Sequence, residues 1–428
     1  MKIQTHIIKV VFIGLFFLMF STSCSTNPKT SSNKVTVPLD YLGIIAVIPV
    51  EKYHVLNEMN PVWLRKVFNW HDIEKKKGDF YFSFYDNFVN DAKAHGKKIL
   101  AGLAYSTPWL HNGKDIDYIS KEDFKHFLNY VEVTVKRYKG KVDAWEIWNE
   151  PNWLFWKGTD KEFFELSRLT AKKIREIDPD AYIVGGSFQR LPHTFITNMK
   201  IAGALENLDA LSFHPYDVNP KASTRLLDDF FKLASRINFK GDIWISEMGY
   251  PTSGWYPSMV PIKNLPSYVI KTIAPAAARG TRVIIWYEFI DTYIFGEYSN
   301  TFNSESHFGL VYSDFTRKNG AWAFELCARY LPGTQYNPEL PLKEDIKSNI
   351  VTLCFTGNES NTNTLIIWNE INNKQKIKVS IPATITIHDI SSADKNSLSN
   401  EVILETSDKP IFITWQGSSV PRISSIRK

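Results

Sequence analysis

Cysteine is scarce: three in 428 residues, too few to staple the fold. Cys24 lies in the N-terminal segment, which leaves Cys327 in a helical pattern and Cys354 in a strand pattern. Both are expected to be buried free thiols, with one bridge between them as the alternative. No His-Glu-x-x-His occurs and the ten histidines are scattered, so zinc hydrolysis is not indicated and no cofactor is expected. No Gly-x-Ser-x-Gly is present, so a serine nucleophile is not indicated. No glycine-rich loop follows the first strand, and an open dinucleotide-binding sheet lacks support. Charge imbalance is also small. The net charge is +5, and Lys2, Lys9, Lys29 and Lys34, with no acid in the first 34 residues, supply most of it. The remainder shows no basic stripe, which argues against nucleic acid as a partner. No internal repeat is found.

What the chain has is aromatic residues: 13 Trp, 19 Tyr and 28 Phe. Such rings stack on the C–H faces of sugars, although most belong to a core. Residues 1–23 read as a lipoprotein-type signal peptide. Lys2 and Lys9 precede an apolar run from Val10 to Phe20, and Ser21-Thr22-Ser23 lead to Cys24. The run is short for a membrane span. Cys24 is the expected lipidation site, giving an exported protein anchored at the outer membrane, on either face. A plain signal peptide is the alternative. Residues 24–38 read as a flexible tether.

Residues 39–332 alternate between strand and helix patterns. Strands are expected at Leu42–Ile48, Trp63–Asn69, Lys97–Tyr105, Val142–Trp148, Ala181–Gly185, Leu208–Phe213, Asp242–Ser246 and Arg282–Phe289. Helices are expected at Phe84–His95 with Ser83 as cap, Lys121–Tyr138, Lys161–Ile177, Thr224–Arg236 and Pro266–Arg279. Eight such units make an α/β fold, a (β/α)₈ TIM barrel. Residues 333–428 read as six short strands between polar turns, a small antiparallel β-sandwich in a supporting role. It holds few aromatics that read as exposed beyond Trp368 and Trp415.

Two glutamates stand where strands give way to Gly, Pro or Asn. Glu150 follows Trp145-Glu146-Ile147-Trp148-Asn149, and Glu247 follows Ile243-Trp244-Ile245-Ser246. Counted by periodicity, they end the fourth and seventh barrel strands. Carboxylates at the carboxyl ends of barrel strands are where this fold does chemistry. Two of them fit glycosidic bond cleavage, which needs a proton donor and a nucleophile or base. Arg65 lies inside the second strand, where a charge must be paired, and Glu146 is its expected interior partner.

The stretch Trp148-Asn149-Glu150-Pro151-Asn152, with Phe155-Trp156-Lys157 and Gly185-Gly186, resembles glycoside hydrolase clan A, most of all family 39 and related endo-acting β-glycanases. The resemblance spans about residues 40–331. It implies a retaining hydrolase with Glu247 as nucleophile and Glu150 as acid/base. It also implies that Arg65 contacts the nucleophile, Asn149 holds the sugar 2-hydroxyl, and His214 and Tyr216 touch the nucleophile or the sugar. Trp286 would floor the subsite of the attacked sugar, and Glu288 is the nearest rival carboxylate. Trp109, Trp153, Trp156 and Trp255 are either subsite platforms or loop packing. The expected substrate is a β-linked polysaccharide or oligosaccharide, cut internally by a monomer. An exo-glycosidase, a transglycosylase and a non-catalytic glycan-binding lipoprotein remain alternatives.

Overall fold

The computed structural model describes residues 34–110, 116–254, 257–291, 303–357, 361–371 and 374–426. Cys24, the signal segment, Trp255 and most of the 292–307 loop lie outside them. Eight parallel strands close into a barrel in sequence order: Leu42–Ile45, Trp63–Asn69, Lys98–Ala104, Ala144–Ile147, Ile183–Gln189, Ala210–His214, Asp242–Met248 and Val283–Trp286. All eight expected strands are found, mostly one to three residues shorter at an end. The fifth and seventh instead run on, because each carries a bulge at its carboxyl end. Register shifts between Gly185 and Phe188 and between Ile245 and Met248. Bulges re-aim side chains at barrel rims.

The barrel interior is layered. At its amino end Trp63, Leu100, Ala144, Val184, Ala210, Trp244, Val283 and Ile285 form an apolar plug. Gly43 is required there, since a Cβ would fall 2.6 Å from that of Trp63. Two residues further along their strands, Trp63 gives way to Arg65, Ala144 to Glu146, Ala210 to Ser212 and Trp244 to Ser246. The period of two keeps each pair on the inner face, so a polar layer lies on top of the plug.

Several helix boundaries differ from expectation. Ser83 is the first residue of its helix, Ser83–Ala94, and makes no capping bond. The fourth-strand helix starts at Asp160, set by a capping box between Thr159 and Glu162. Pro220–Arg236 begins four residues early, because the Asn219 side chain accepts from Ala222 N and Pro220 suits a first turn. Tyr53–Met59, His193–Ile201 and Asn319–Tyr330 were not expected as full helices.

The C-terminal part is a sandwich of a seven-stranded and a four-stranded sheet. Val35–Thr36, expected within the tether, pair antiparallel with Gln335–Tyr336 and form the edge of the larger sheet. Residues alternate across that sheet. Leu353, Phe355, Ile366, Trp368 and Phe412 join the core that also fills the barrel's helical layer, while Cys354, Leu365, Ile367, Ile413 and Trp415 face the smaller sheet. Trp368 and Trp415 are therefore buried, contrary to expectation, and neither offers a face to a sugar. Cys327 and Cys354 are buried free thiols that do not pair.

Candidate active site

Arg65 organises the polar layer. Its Nε donates to Glu146 Oε2 at 2.7 Å and Nη1 to Glu247 Oε2 at 2.7 Å. Its Nη2 donates to Asn149 Oδ1 at 2.9 Å and to Ser187 Oγ at 3.3 Å. Both sequence readings of Arg65 hold together: it pairs Glu146 and also grips Glu247. Glu146 is fully buried, and its other oxygen accepts from Ser212 Oγ at 2.8 Å. Burial opposes its charge, but Arg65, His214 and Ser246 together hold its carboxyl below the ordinary range. A buried ion tolerates its position only with this degree of satisfaction.

Glu247 has both oxygens engaged. Arg65 takes Oε2, and Tyr216 Oη donates to Oε1 at 3.0 Å. Burial and the adjacent Glu247 charge push the Tyr216 phenol well above its usual range, so it remains a donor. Glu150 is held from the other side: His214 Nδ1 lies 2.7 Å from its Oε1. His214 Nε2 faces the hydroxyls of Ser187 and Ser246, each at 3.1 Å. The ligating atoms of Glu150, His214 and Glu247 all fall within 4.8 Å of one another. Three such groups could hold a cation by count. Here the Arg65 guanidinium already occupies Glu247, and a metal beside it would meet like charge.

Backbone strain gathers at this rim. Tyr105, Trp148, Glu150 and Ser187 are non-glycine residues with φ of 70°, 68°, 46° and 46°. Each such position costs on the order of 1–3 kcal/mol and needs outside support. Trp148 N donates to Leu103 O at 3.0 Å and Glu150 N to Ser187 O at 2.9 Å, which tie the ends of strands three, four and five together.

Not every expected residue joins the site as foreseen. His214 is fully buried and bonds Glu150, so it acts through that carboxylate and reaches neither the sugar nor Glu247 by a bond. Trp286 is fully buried, so its ring cannot floor an open subsite; the half-buried Tyr287 follows it. Trp156 packs against Trp148 and donates to Thr159 O. Trp109 donates to Glu74 O and meets Trp70 and His126 edge-on, so it packs its loop. Glu288 is buried, and its charge is felt by Lys66, Tyr287 and Lys318. Trp153 is 49% exposed, two residues beyond Pro151, with its N–H donating to Glu150 O. The reading missed Tyr105, whose hydroxyl accepts from Asn149 Nδ2 at 3.3 Å, and the serines at 187, 212 and 246. Small hydroxyls in apolar strands gave no signal.

Residues 106–237 match the family model described as Glycosyl hydrolases family 39. That stretch holds Glu150, Asn149, His214 and Tyr216 and runs from the third barrel strand's loop to the helix after the sixth strand. The chain is a glycoside hydrolase. Solved structures of similar fold include a family 39 glycoside hydrolase from Bacteroides cellulosilyticus WH2, at TM-score 0.75 and 19% identity over 89% of this chain and 81% of that one. A monomeric β-xylosidase from Caulobacter crescentus CB15 matches at TM-score 0.65 and 13% identity, over 89% and 97%. A family 30 subfamily 8 xylanase from Clostridium acetobutylicum matches at 0.61 and 12%, over 90% and 100%. The expected resemblance to clan A and to family 39 is borne out, and these matches extend through the sandwich as well as the barrel.

Proposed function

We propose that this glycoside hydrolase is an exported, lipid-anchored, retaining enzyme that cuts β-linked polysaccharide internally. The observation that carries the mechanism is the spacing of the two carboxylates. Retaining catalysis needs carboxyl groups about 5–5.5 Å apart, whereas inversion needs room for a water between them. The facing atoms of Glu150 and Glu247, within 4.8 Å, favour the first.

In this reading Glu247 attacks the anomeric carbon while Glu150 gives its proton to the leaving oxygen. The glycosidic C–O bond breaks and a glycosyl ester forms. Glu150, now a carboxylate, takes a proton from water, and the water oxygen displaces Glu247. Arg65 and Tyr216 fix the attacking carboxylate, which removes the need to orient it during reaction. His214 occupies Glu150 Oε1 and leaves Oε2 for the proton in transit. Because Arg65 holds Asn149 Oδ1 and Nδ2 donates one hydrogen to Tyr105 Oη, the second hydrogen of Nδ2 is the one left to donate to a sugar 2-hydroxyl.

Trp153 supports the internal mode of cleavage. Its backbone is tied to the acid/base residue and its ring is exposed, so it is a candidate platform on which a continuing chain would stack. The name of the Caulobacter crescentus neighbour, a β-xylosidase, favours the exo alternative. A panel of β-glucans, xylans, mannans and galactans separates the two by product size. Oligomers from one polymer, absent with Glu247→Ala, are the expected result; monosaccharide alone would overturn endo action. Cys24→Ser is expected to move the activity from the membrane fraction to the soluble fraction, and activity that stays with membranes would sink the anchor.

A further inference from the structure

A third carboxylate stands at the barrel mouth, and the roles proposed above leave it unused. Glu305 lies on the short turn Ser304–His307, where Asn303 Oδ1 accepts from its N–H at 3.1 Å. The turn is pinned from two strand ends. Thr252 N and Oγ1 both donate to His307 O, at 3.0 and 3.1 Å. Glu288 N donates to Phe308 O at 3.3 Å. Gly254 is packed so closely that a Cβ there would lie 2.3 Å from Ser304 Oγ. Tyr287 packs its ring on Phe308, 5.1 Å between centroids, and directs its hydroxyl to Glu305 Oε2 at 3.5 Å. Burial, with the charges of Glu247 and Glu150, pushes the Glu305 carboxyl up, so all three acids share one field.

Among the described residues, the two guanidiniums beside this site, Arg65 and Arg190, are already committed. Every nitrogen of Arg65 donates to a protein acceptor. Arg190 pairs with Asp217 at 2.7 Å and donates to Tyr216 O at 2.9 Å. Neither is left to receive a substrate carboxylate.

We propose that Glu305, supported by Tyr287, is a specificity-determining residue that accepts hydrogen bonds from the hydroxyls of a neutral sugar and turns away uronic acid units. The inference rests on Glu150 and Glu247 as the reacting pair. A carboxylate on the substrate would enter a site with three acids and, among the described residues, no uncommitted guanidinium, and like charges at short range in a partly desolvated cleft repel strongly.

The test compares wild type and Glu305→Gln, a substitution that keeps the shape and one acceptor. Aryl β-glucosides, β-xylosides and β-glucuronides serve as substrates. Neutral and C6-oxidised oligosaccharides serve as competing ligands in case aryl glycosides turn over slowly. Wild type should favour the neutral member of each pair. Glu305→Gln should narrow that preference at least tenfold, through KM for the acidic substrate or through the inhibition constant of the acidic oligosaccharide. An unchanged ratio in the variant, or a wild-type preference for the uronide, overturns the proposal. Activity surviving in Glu247→Ala would instead overturn the catalytic reading, so the two failures are distinguishable.

Discussion

Replacing Glu247 with Ala is expected to lower turnover by about 10⁴–10⁶-fold, the scale seen when a covalent hydrolase loses its nucleophile, while binding of the substrate persists. The loss is large because the pathway itself disappears: without the carboxylate no glycosyl ester forms. Azide then reports which face each glutamate serves. In Glu247→Ala it fills the vacated space, attacks from that side and gives the α-glycosyl azide. In Glu150→Ala the ester still forms on substrates with good leaving groups, and azide replaces water to give the β-glycosyl azide. Poor leaving groups suffer a further loss of about 10²–10⁴-fold there, because they need the proton. Product anomers that are exchanged between the two variants would reverse the assignment of roles.

The second large effect belongs to Arg65. Arg65→Met strands Glu146 in the barrel interior with no counter-charge and frees one oxygen of Glu247. Breaking a buried pair from one side costs about 3–5 kcal/mol, which chemical denaturation would read directly. Activity should fall as well, since the nucleophile loses its fixed orientation. The double variant Arg65→Met, Glu146→Met separates the two consequences. Stability should largely return once no unpaired charge is buried, and activity should not. Recovery of both would mean that Arg65 serves the fold alone. The pH dependence follows from the sign of the Glu146 shift. Its folded carboxyl is held below the ordinary glutamate value of 4.5, so the unfolded chain binds the proton more readily. The stabilisation is complete above that value and is lost as pH falls through the lower folded value. Arg65→Met should therefore lose the acid-side decline that Glu146 contributes.

Much of the barrel could be read from residue pattern because its strands are doubly buried. Trp63–Asn69 was found to the residue, and Asn149-Glu150 and Glu247 fell at strand ends four and seven by count alone. The bulges were not legible. Gly186-Ser187 and Ser246-Glu247 look like strand ends or plain continuation, yet the extra residue is what turns Ser187 toward His214 and Glu247 toward Arg65. His214 was placed at the right strand but on the wrong partner, since sequence order does not say which of two facing carboxylates an imidazole meets. Trp286 misled for a related reason. A Trp at a strand end reads as a platform, and only packing against Tyr250 and the rest of the core shows its ring enclosed. Val35–Thr36 joined a sheet whose other strands lie 300 residues away, a pairing with no local signature.

The larger sheet of the sandwich has no face to spare. One side holds the sandwich together, and Leu353, Phe355, Ile366, Trp368 and Phe412 on the other are continuous with the core beneath helices Leu265–Ala278 and Asn319–Tyr330. Accessory modules strung on linkers can be exchanged between enzymes because their own cores are closed. This one is grafted. Any exchange of the sandwich would have to bring a matching apolar face, and a cut at residue 333 would lay bare the apolar surface that Leu353, Phe355, Ile366, Trp368 and Phe412 now cover.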